Sequence, residues 1–289
     1  MPNEFDLKYT ATRVKAPSAN TLPGQMQGHL RLLEMYRCLQ GEGIFVGVPS
    51  LLIRTAGCSV SCSFCDTKFS WHARKSENLV STEDLITRAQ VEGEGLNHYI
   101  ISGGEPLEQP HEELIKLVRA LTGDGRRTHL VTFETSGVVL PPQELTDMLD
   151  VYWSISPKLP SAQGNYALPE LWQWLFLERR YGSRMQFKFV VTARDPEALY
   201  NDLDVLLAEF RKSSTTHYGL PVFFQACTPN TGDFQEDLRL VTDDLRALEW
   251  EILKPHGRHP LFDHLQDRGF MLSVRMQSHF LTWGHARRK

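Results

Sequence analysis

From residue 82 to residue 277 short apolar runs alternate with stretches of helical periodicity, and this alternation restricts the fold more than any other feature. HYIIS (98–102), HLVTFETSG (129–137), VYWSIS (151–156), MQFKFVV (185–191), PVFFQA (221–226) and FMLSVRMQ (270–277) read as strands. HEELIKLVRALTGDG (111–125), PPQELTDMLD (141–150), PEALYNDLDVLLAEFRK (196–212) and DFQEDLRLVTDDLRALEWE (233–251) read as helices. Ahead of them, LRLLEMYRC (30–38) and SLLIRTA (50–56) read as strands. TEDLITRAQVEG (82–93) reads as a helix, with Thr82 as its expected N-cap. Repeated strand–helix units imply parallel strands joined by crossover helices. About six units are too few for a closed eight-unit barrel. The pattern therefore predicts an α/β fold: an incomplete (β/α)6-type barrel, with a mostly parallel curved sheet and peripheral helical insertions. In such folds chemistry gathers at the C-terminal strand ends.

Two stretches, 159–184 and 213–219, break the rhythm. The first contains PELWQWLFLERRYG and reads as an inserted helix that packs its aromatics on the core or on a subunit. Residues 1–28 read as a loosely ordered extension before a single domain over 29–289. The formal net charge of −4 lacks the basic surplus of a general nucleic-acid binder, so no direct nucleic-acid partner is expected. No apolar run approaches the roughly 18 residues of a membrane helix, and the first 30 residues lack a secretory apolar core. The five cysteines are odd in number and three of them are crowded, unlike a secreted disulfide framework. These features point to the cytoplasm. Cys38 and Cys227 stand apart and read as small buried apolar residues.

The crowded three lie in GCSVSCSFCDTKFSW (57–71), where Cys58, Cys62 and Cys65 have the spacing C-x3-C-x2-C. Three thiolates suit a four-iron, four-sulfur (4Fe-4S) cluster that keeps one iron free for an outside ligand. The same residues with His72 would make a Cys3His zinc site, and redox-active thiols are a third reading.

The loop, with Phe64 before its last cysteine, resembles the radical S-adenosylmethionine (SAM) superfamily. ISGGEP (101–106) and ETSG (134–137) resemble that superfamily's later motifs, in the right order and each at a strand end. The resemblance implies a radical SAM barrel. A reduced 4Fe-4S cluster on Cys58, Cys62 and Cys65 would cleave SAM to a 5′-deoxyadenosyl radical, which takes a hydrogen atom from the substrate. LQGEG (39–43), TAGC (55–58), CDTKFSW (65–71), SPK (156–158) and MQSH (276–279) together resemble the 7-carboxy-7-deazaguanine synthase family, over residues 30 to about 282. That family contracts the ring of 6-carboxy-5,6,7,8-tetrahydropterin with loss of ammonia. By this resemblance Leu39, Gln40, Gly41, Glu42, Arg54, Ser102 and His279 are the substrate-binding candidates. Arg54 suits a carboxylate, while Gln40 and Glu42 suit the donor–acceptor edge of the ring. SAM is expected on Phe64, Cys65, Asp66, Gly104, Glu105, Ser156, Pro157, Lys158 and Gln225, with Glu105 holding the methionine amine. Thr67 matches a magnesium position, and Lys188 matches a lysine inside the barrel. No side chain is singled out as an acid or base. A flavodoxin-type reductant and a homodimer are the implied partners, and no membrane.

The sequence departs from the family at QACTPN (225–230), where QP is usual, and at SHFLTWGHARRK (278–289), where THK is usual. Another radical SAM enzyme is the nearest alternative, and a zinc-stabilised binding protein is the alternative of a different class. LQGEG and the lack of a second cysteine cluster oppose an activase of glycyl-radical enzymes. Intact cysteines, Glu105 and Arg54 oppose a degenerate member.

Overall fold

The structure is a computed structural model that describes residues 26–71, 79–123, 129–162, 168, 170–181 and 184–283. In chain order the elements are β1 (His29–Leu39), β2 (Pro49–Thr55), β3 (Leu79–Ser81), α1 (Thr82–Glu92), β4 (His98–Gly103) and α2 (His111–Thr122). Then follow β5 (Leu130–Thr135), α3 (Gln143–Thr146), β6 (Val151–Ile155), α4 (Leu171–Tyr181), β7 (Arg184–Val191) and α5 (Pro196–Arg211). The chain closes with β8 (Pro221–Ala226), α6 (Phe234–Leu253), α7 (Pro260–Asp267), β9 (Met271–Arg275) and α8 (Ser278–Trp283).

One nine-stranded sheet has the order β3-β1-β2-β4-β5-β6-β7-β8-β9. Every pairing from β2 to β9 is parallel, which bears out the incomplete (β/α)6 barrel. β1 is the exception. It runs antiparallel to β2, with Leu39 opposite Pro49. The link over 40–48 is shorter than the dozen or so residues a parallel crossover needs, so the chain has to turn back. LQGEG therefore leaves β1 beside the start of β2.

Residues alternate between the two faces of each strand. Leu51, Ile53, Tyr99, Ile101, Val131, Phe133, Trp153, Phe187 and Phe224 point outward, into one apolar cluster with α2, α5, α6 and α7. The alternate residues Arg54, Ser102, Glu134, Ser154, Lys188 and Gln225 point into the barrel. At its lower end Ser50 Oγ meets His98 Nδ1 at 2.7 Å, and His98 Nε2 meets Thr132 Oγ1 at 2.8 Å. The Phe45 ring packs on His98 and Tyr152 at 5.1 and 4.9 Å. Burial lowers the His98 pKa to about 4, so this plug is built on a neutral imidazole.

Helix ends follow their capping residues. Ser81, not Thr82, is the N-cap of α1: its Oγ accepts from Asp84 N at 3.1 Å. Thr82 is free to donate to the buried Glu113 at 2.6 Å. Glu113 also accepts from Gly28 N at 3.1 Å, so residues 26–28 belong to the fold rather than to the extension. Gly123, at φ 71°, stops α2 in the left-handed conformation that favours glycine. PPQELTDMLD yields four helical residues instead of ten, since residues 147–150 turn directly into β6. β3, α7 and α8 are additional to the sequence reading. Within 159–184 the described residues include α4, which buries Leu171, Trp174, Leu175 and Leu177 in the core. Of its aromatics, Trp174 packs on the core, while Phe176 is 43% exposed. Residues 163–167, 169, 182 and 183, and residues 1–25, lie outside the described part. Among the described residues no helix is long and apolar enough to cross a membrane.

Candidate active site

The cysteine loop is fastened from three sides. Gly57 N donates to Ser70 O at 2.8 Å, and Ser63 N to Ala162 O at 2.8 Å. Ser59 N donates to Glu108 Oε1 at 3.0 Å, and the Ser59 hydroxyl donates to the same oxygen. The GGEP turn supplies the floor: Gly104 N donates to Thr55 O at 3.1 Å and Glu105 N to Gly57 O at 2.9 Å. Its two glycines admit a close approach of backbone, Gly103 to Thr55 and Gly104 to Gly57. A Cβ on Gly103 would lie 2.1 Å from Thr55 O, and one on Gly104 only 1.9 Å from Gly57 O.

Val60, Cys62 and Ala162 form a small apolar cluster, against which Cys58, Phe64, Cys65 and Val138 pack. All five cysteines are free of disulfides. A hydrogen bond from Cys62 lowers the Cys65 pKa to about 6 and raises that of Cys62. Burial, with Glu105 nearby, pushes Cys58 up to about 11. Trp71 Nε1 donates to Cys65 Sγ at 3.3 Å, and Thr67 Oγ1 lies 3.5 Å from the same sulfur. Three thiols in one apolar pocket, with N–H and O–H groups aimed at sulfur, fit an iron–sulfur cluster. His72, the fourth ligand of the zinc reading, lies outside the described residues. Among the described residues no three His, Cys, Asp or Glu side chains form a ligand set for a metal ion.

Glu105 is anchored within the fold. It is 1% exposed and accepts from Thr135 Oγ1 (2.6 Å), Leu107 N (3.1 Å), Ser136 N (2.8 Å) and the Ser136 hydroxyl. Burial raises its pKa against the pull of Ser136 and Thr135. Its side chain ties GGEP to ETSG. Ser156 N donates to Thr135 O at 2.7 Å, and Lys158 Nζ to Ser156 Oγ at 2.9 Å, which brings SPK beside ETSG. Pro157 is buried.

Deeper in the barrel lies a second, ionic group. Lys188 Nζ is paired with Glu42 and lies 2.9 Å from Glu134 Oε2. Gln40 Nε2 donates to Glu134 Oε1 at 3.1 Å. Gln277 Nε2 donates to Glu42 Oε1 at 2.6 Å, and Gln225 Nε2 to the same oxygen at 3.4 Å. Gln186 Oε1 accepts from Ile44 N at 2.9 Å, and a Cβ on Gly43 would collide with the Gln186 side chain. Gly43 accordingly sits at φ 68° and lets Glu42 reach inward. Ser278 closes the ring, its N and Oγ donating to Gly41 O at 3.1 and 3.0 Å.

Of the residues singled out in the sequence, Gln40, Gly41, Glu42 and Gln225 meet here. Gln225, a SAM candidate in the sequence, donates to Glu42. Arg54 is already paired: its Nε lies 2.7 Å from Glu34 Oε1, and its NH2 donates to Tyr36 Oη at 3.2 Å. The Leu39 side chain is 63% exposed and points away. Ser102 lies at the end of β4, and Asp66 is exposed on the cysteine loop. His279 is on α8, and its side chain lies outside the described residues. Glu134, Gln186 and Gln277 were not singled out. Glu134 and Gln277 stand inside quoted motifs, ETSG and MQSH, so the signal for those two was present.

A half-closed parallel barrel with a three-thiol loop at its C-terminal end, floored by GGEP, defines a radical SAM enzyme. The model of the radical SAM superfamily matches residues 52–160. The 7-carboxy-7-deazaguanine synthase of Hyperthermus butylicus is 31% identical over 239 residues, 80% of this chain and 88% of that one. The enzyme of the same name from Pyrobaculum aerophilum is 29% identical over 263 residues, 90% and 97% of the two chains. The crystal structure of QueE from Escherichia coli superposes with a TM-score of 0.51 at 27% identity, covering 80% of this chain and 96% of that one. The chain belongs to the 7-carboxy-7-deazaguanine synthase family.

Proposed function

We propose that this chain converts 6-carboxy-5,6,7,8-tetrahydropterin to 7-carboxy-7-deazaguanine with release of ammonia, in 7-deazapurine biosynthesis. The observation that carries this reading is the meeting of Gln40 and Glu42, from LQGEG, with Glu134 and Lys188 inside the barrel. Carboxylates and carboxamides there offer acceptors and donors that match the amino and ring N–H edge of a pterin. Cys58, Cys62 and Cys65 would hold the 4Fe-4S cluster. When bound, that cluster would supply the electron for reductive cleavage of SAM.

Phe64, Asp66, Gly104, Ser156, Pro157 and Lys158 surround or adjoin the cysteine loop and are the residues proposed to contact SAM. Glu105 serves that site indirectly, by fixing GGEP against ETSG. Ser102 and Arg54 are proposed for the substrate's carboxylate side, with Arg54 exchanging Glu34 for the ligand. Thr67, beside Cys65, is the proposed protein ligand of magnesium, whose other positions water and substrate oxygens would fill. Magnesium dependence of turnover that is the same in Thr67→Ala and wild type would remove that assignment. A flavodoxin-class reductant, a homodimer and a cytoplasmic location complete the proposal. The free thiols support a reducing compartment, and sedimentation analysis tests the dimer.

The test is turnover. Anaerobically reconstituted protein given SAM, reductant, magnesium and the pterin is expected to form 7-carboxy-7-deazaguanine and 5′-deoxyadenosine. Cys62→Ala is expected to form neither. SAM cleavage with the pterin untouched would leave the superfamily and remove the substrate.

A further inference from the structure

Lys188 is the feature of the barrel that the reaction as described leaves without a task. It stands mid-strand on β7, 5% exposed, between two carboxylates from distant parts of the chain. Each carboxylate divides its oxygens in the same way. Glu42 gives Oε2 to Lys188, and Oε1 to Gln277 and Gln225. Glu134 gives Oε2 to Lys188 and Oε1 to Gln40. The nearby cations have other partners. Arg54 is on Glu34 and Tyr36, Lys158 on Ser156, and Arg275 lies 5.1 Å over the Phe223 ring. Tyr152, also on the inner face, donates to Met185 O at 2.9 Å.

Two carboxylates drawn together in a buried site would share a proton unless a cation stands between them. A shared proton turns one acceptor into a donor, which repels the N–H edge of a pterin. We propose that Lys188 is a positioning residue for the substrate: it fixes Glu42 and Glu134 side by side as two ionised acceptors for the donor edge of the ring. Burial opposes the charge on Lys188, but Glu134 and Glu42 outweigh it and hold its pKa above the ordinary lysine value. This inference rests on the pterin reading above.

The experiment is the pH dependence of pterin binding to cluster-loaded protein, in wild type, Lys188→Met and Lys188→Arg. In Lys188→Met the acid limb of affinity moves up by about 1–2 pH units, and affinity at neutral pH falls about tenfold or more. Lys188→Arg keeps the limb where wild type has it, whatever its affinity. A purely structural lysine would change stability without moving that limb. A Lys188→Met profile that matches wild type overturns the inference. Wild type that fails to bind the pterin at any pH overturns the reading beneath it. If Lys188→Met does not fold, infrared difference spectra of wild type decide. No protonated glutamic carbonyl signal from this pair is expected between pH 5.5 and 8, and its appearance overturns the inference.

Discussion

At Gly104 two backbones run closer than any side chain permits, since a Cβ there would sit 1.9 Å from Gly57 O and 3.1 Å from the Cβ of Cys58. The carbonyl cannot retreat without dragging the cysteine it precedes. Gly104→Ala is therefore expected to destabilise the protein by roughly 1–3 kcal/mol and to lower iron and sulfide per chain. Iron analysis after reconstitution checks this, and full iron content would show that the contact does not set the loop. Residues of this kind were legible early because their chemistry is written in contiguous words: GGEP, CDT, ETSG. What each word touches was not. Glu34 opposite Arg54, Glu108 on Ser59 and Thr135 on Glu105 come together through strand register and long-range packing. No local pattern encodes those.

Among the elements, α4 links the insertion to the site. Trp174 is fully buried, lies 5.7 Å from Trp153, and donates to Gly137 O at 3.0 Å beside ETSG. Trp174→Ala is expected to cost roughly 3–5 kcal/mol through the cavity it leaves. Trp174→Phe is expected to cost about 1 kcal/mol, for the lost hydrogen bond. Denaturant titration separates the two, and equal losses would mean that the bond to Gly137 carries the docking. At the opposite end of the barrel, β2, β4 and β5 are joined by His98. Its pKa in the folded state, about 4, lies below the ordinary 6.5, so its contribution is present above pH 6.5 and is lost as pH falls through 4. The expected loss over that window is about 3 kcal/mol, and it should vanish in His98→Gln. A stability curve with the same acid slope in both proteins would contradict the neutral plug. Most long elements were readable from periodicity. The short ones were not: β3 has three residues, and α7 is announced only by His259–Pro260 at its start. α3 failed in the other direction, since a Pro start and two apolar positions suggested more helix than the turn into β6 allows.

For the whole molecule, strand count and crossovers gave the barrel, while the direction of β1 decides which end LQGEG comes from. That reversal was available in the nine-residue length of the link over 40–48. The hydrogen bonds from Ser278 to Gly41 then join the last strand's exit to the first loop, so distant parts of the chain meet at one place. The cysteine loop and the Glu42–Lys188–Glu134 group act, on this account, on one substrate in one reaction. The most direct test is transfer of label. Pterin deuterated at its ring carbons is turned over anaerobically with SAM, and the 5′-deoxyadenosine is weighed by mass spectrometry. Deuterium in the 5′-deoxyadenosine, together with 7-carboxy-7-deazaguanine, is the predicted result. Unlabelled 5′-deoxyadenosine and unconsumed pterin would contradict it.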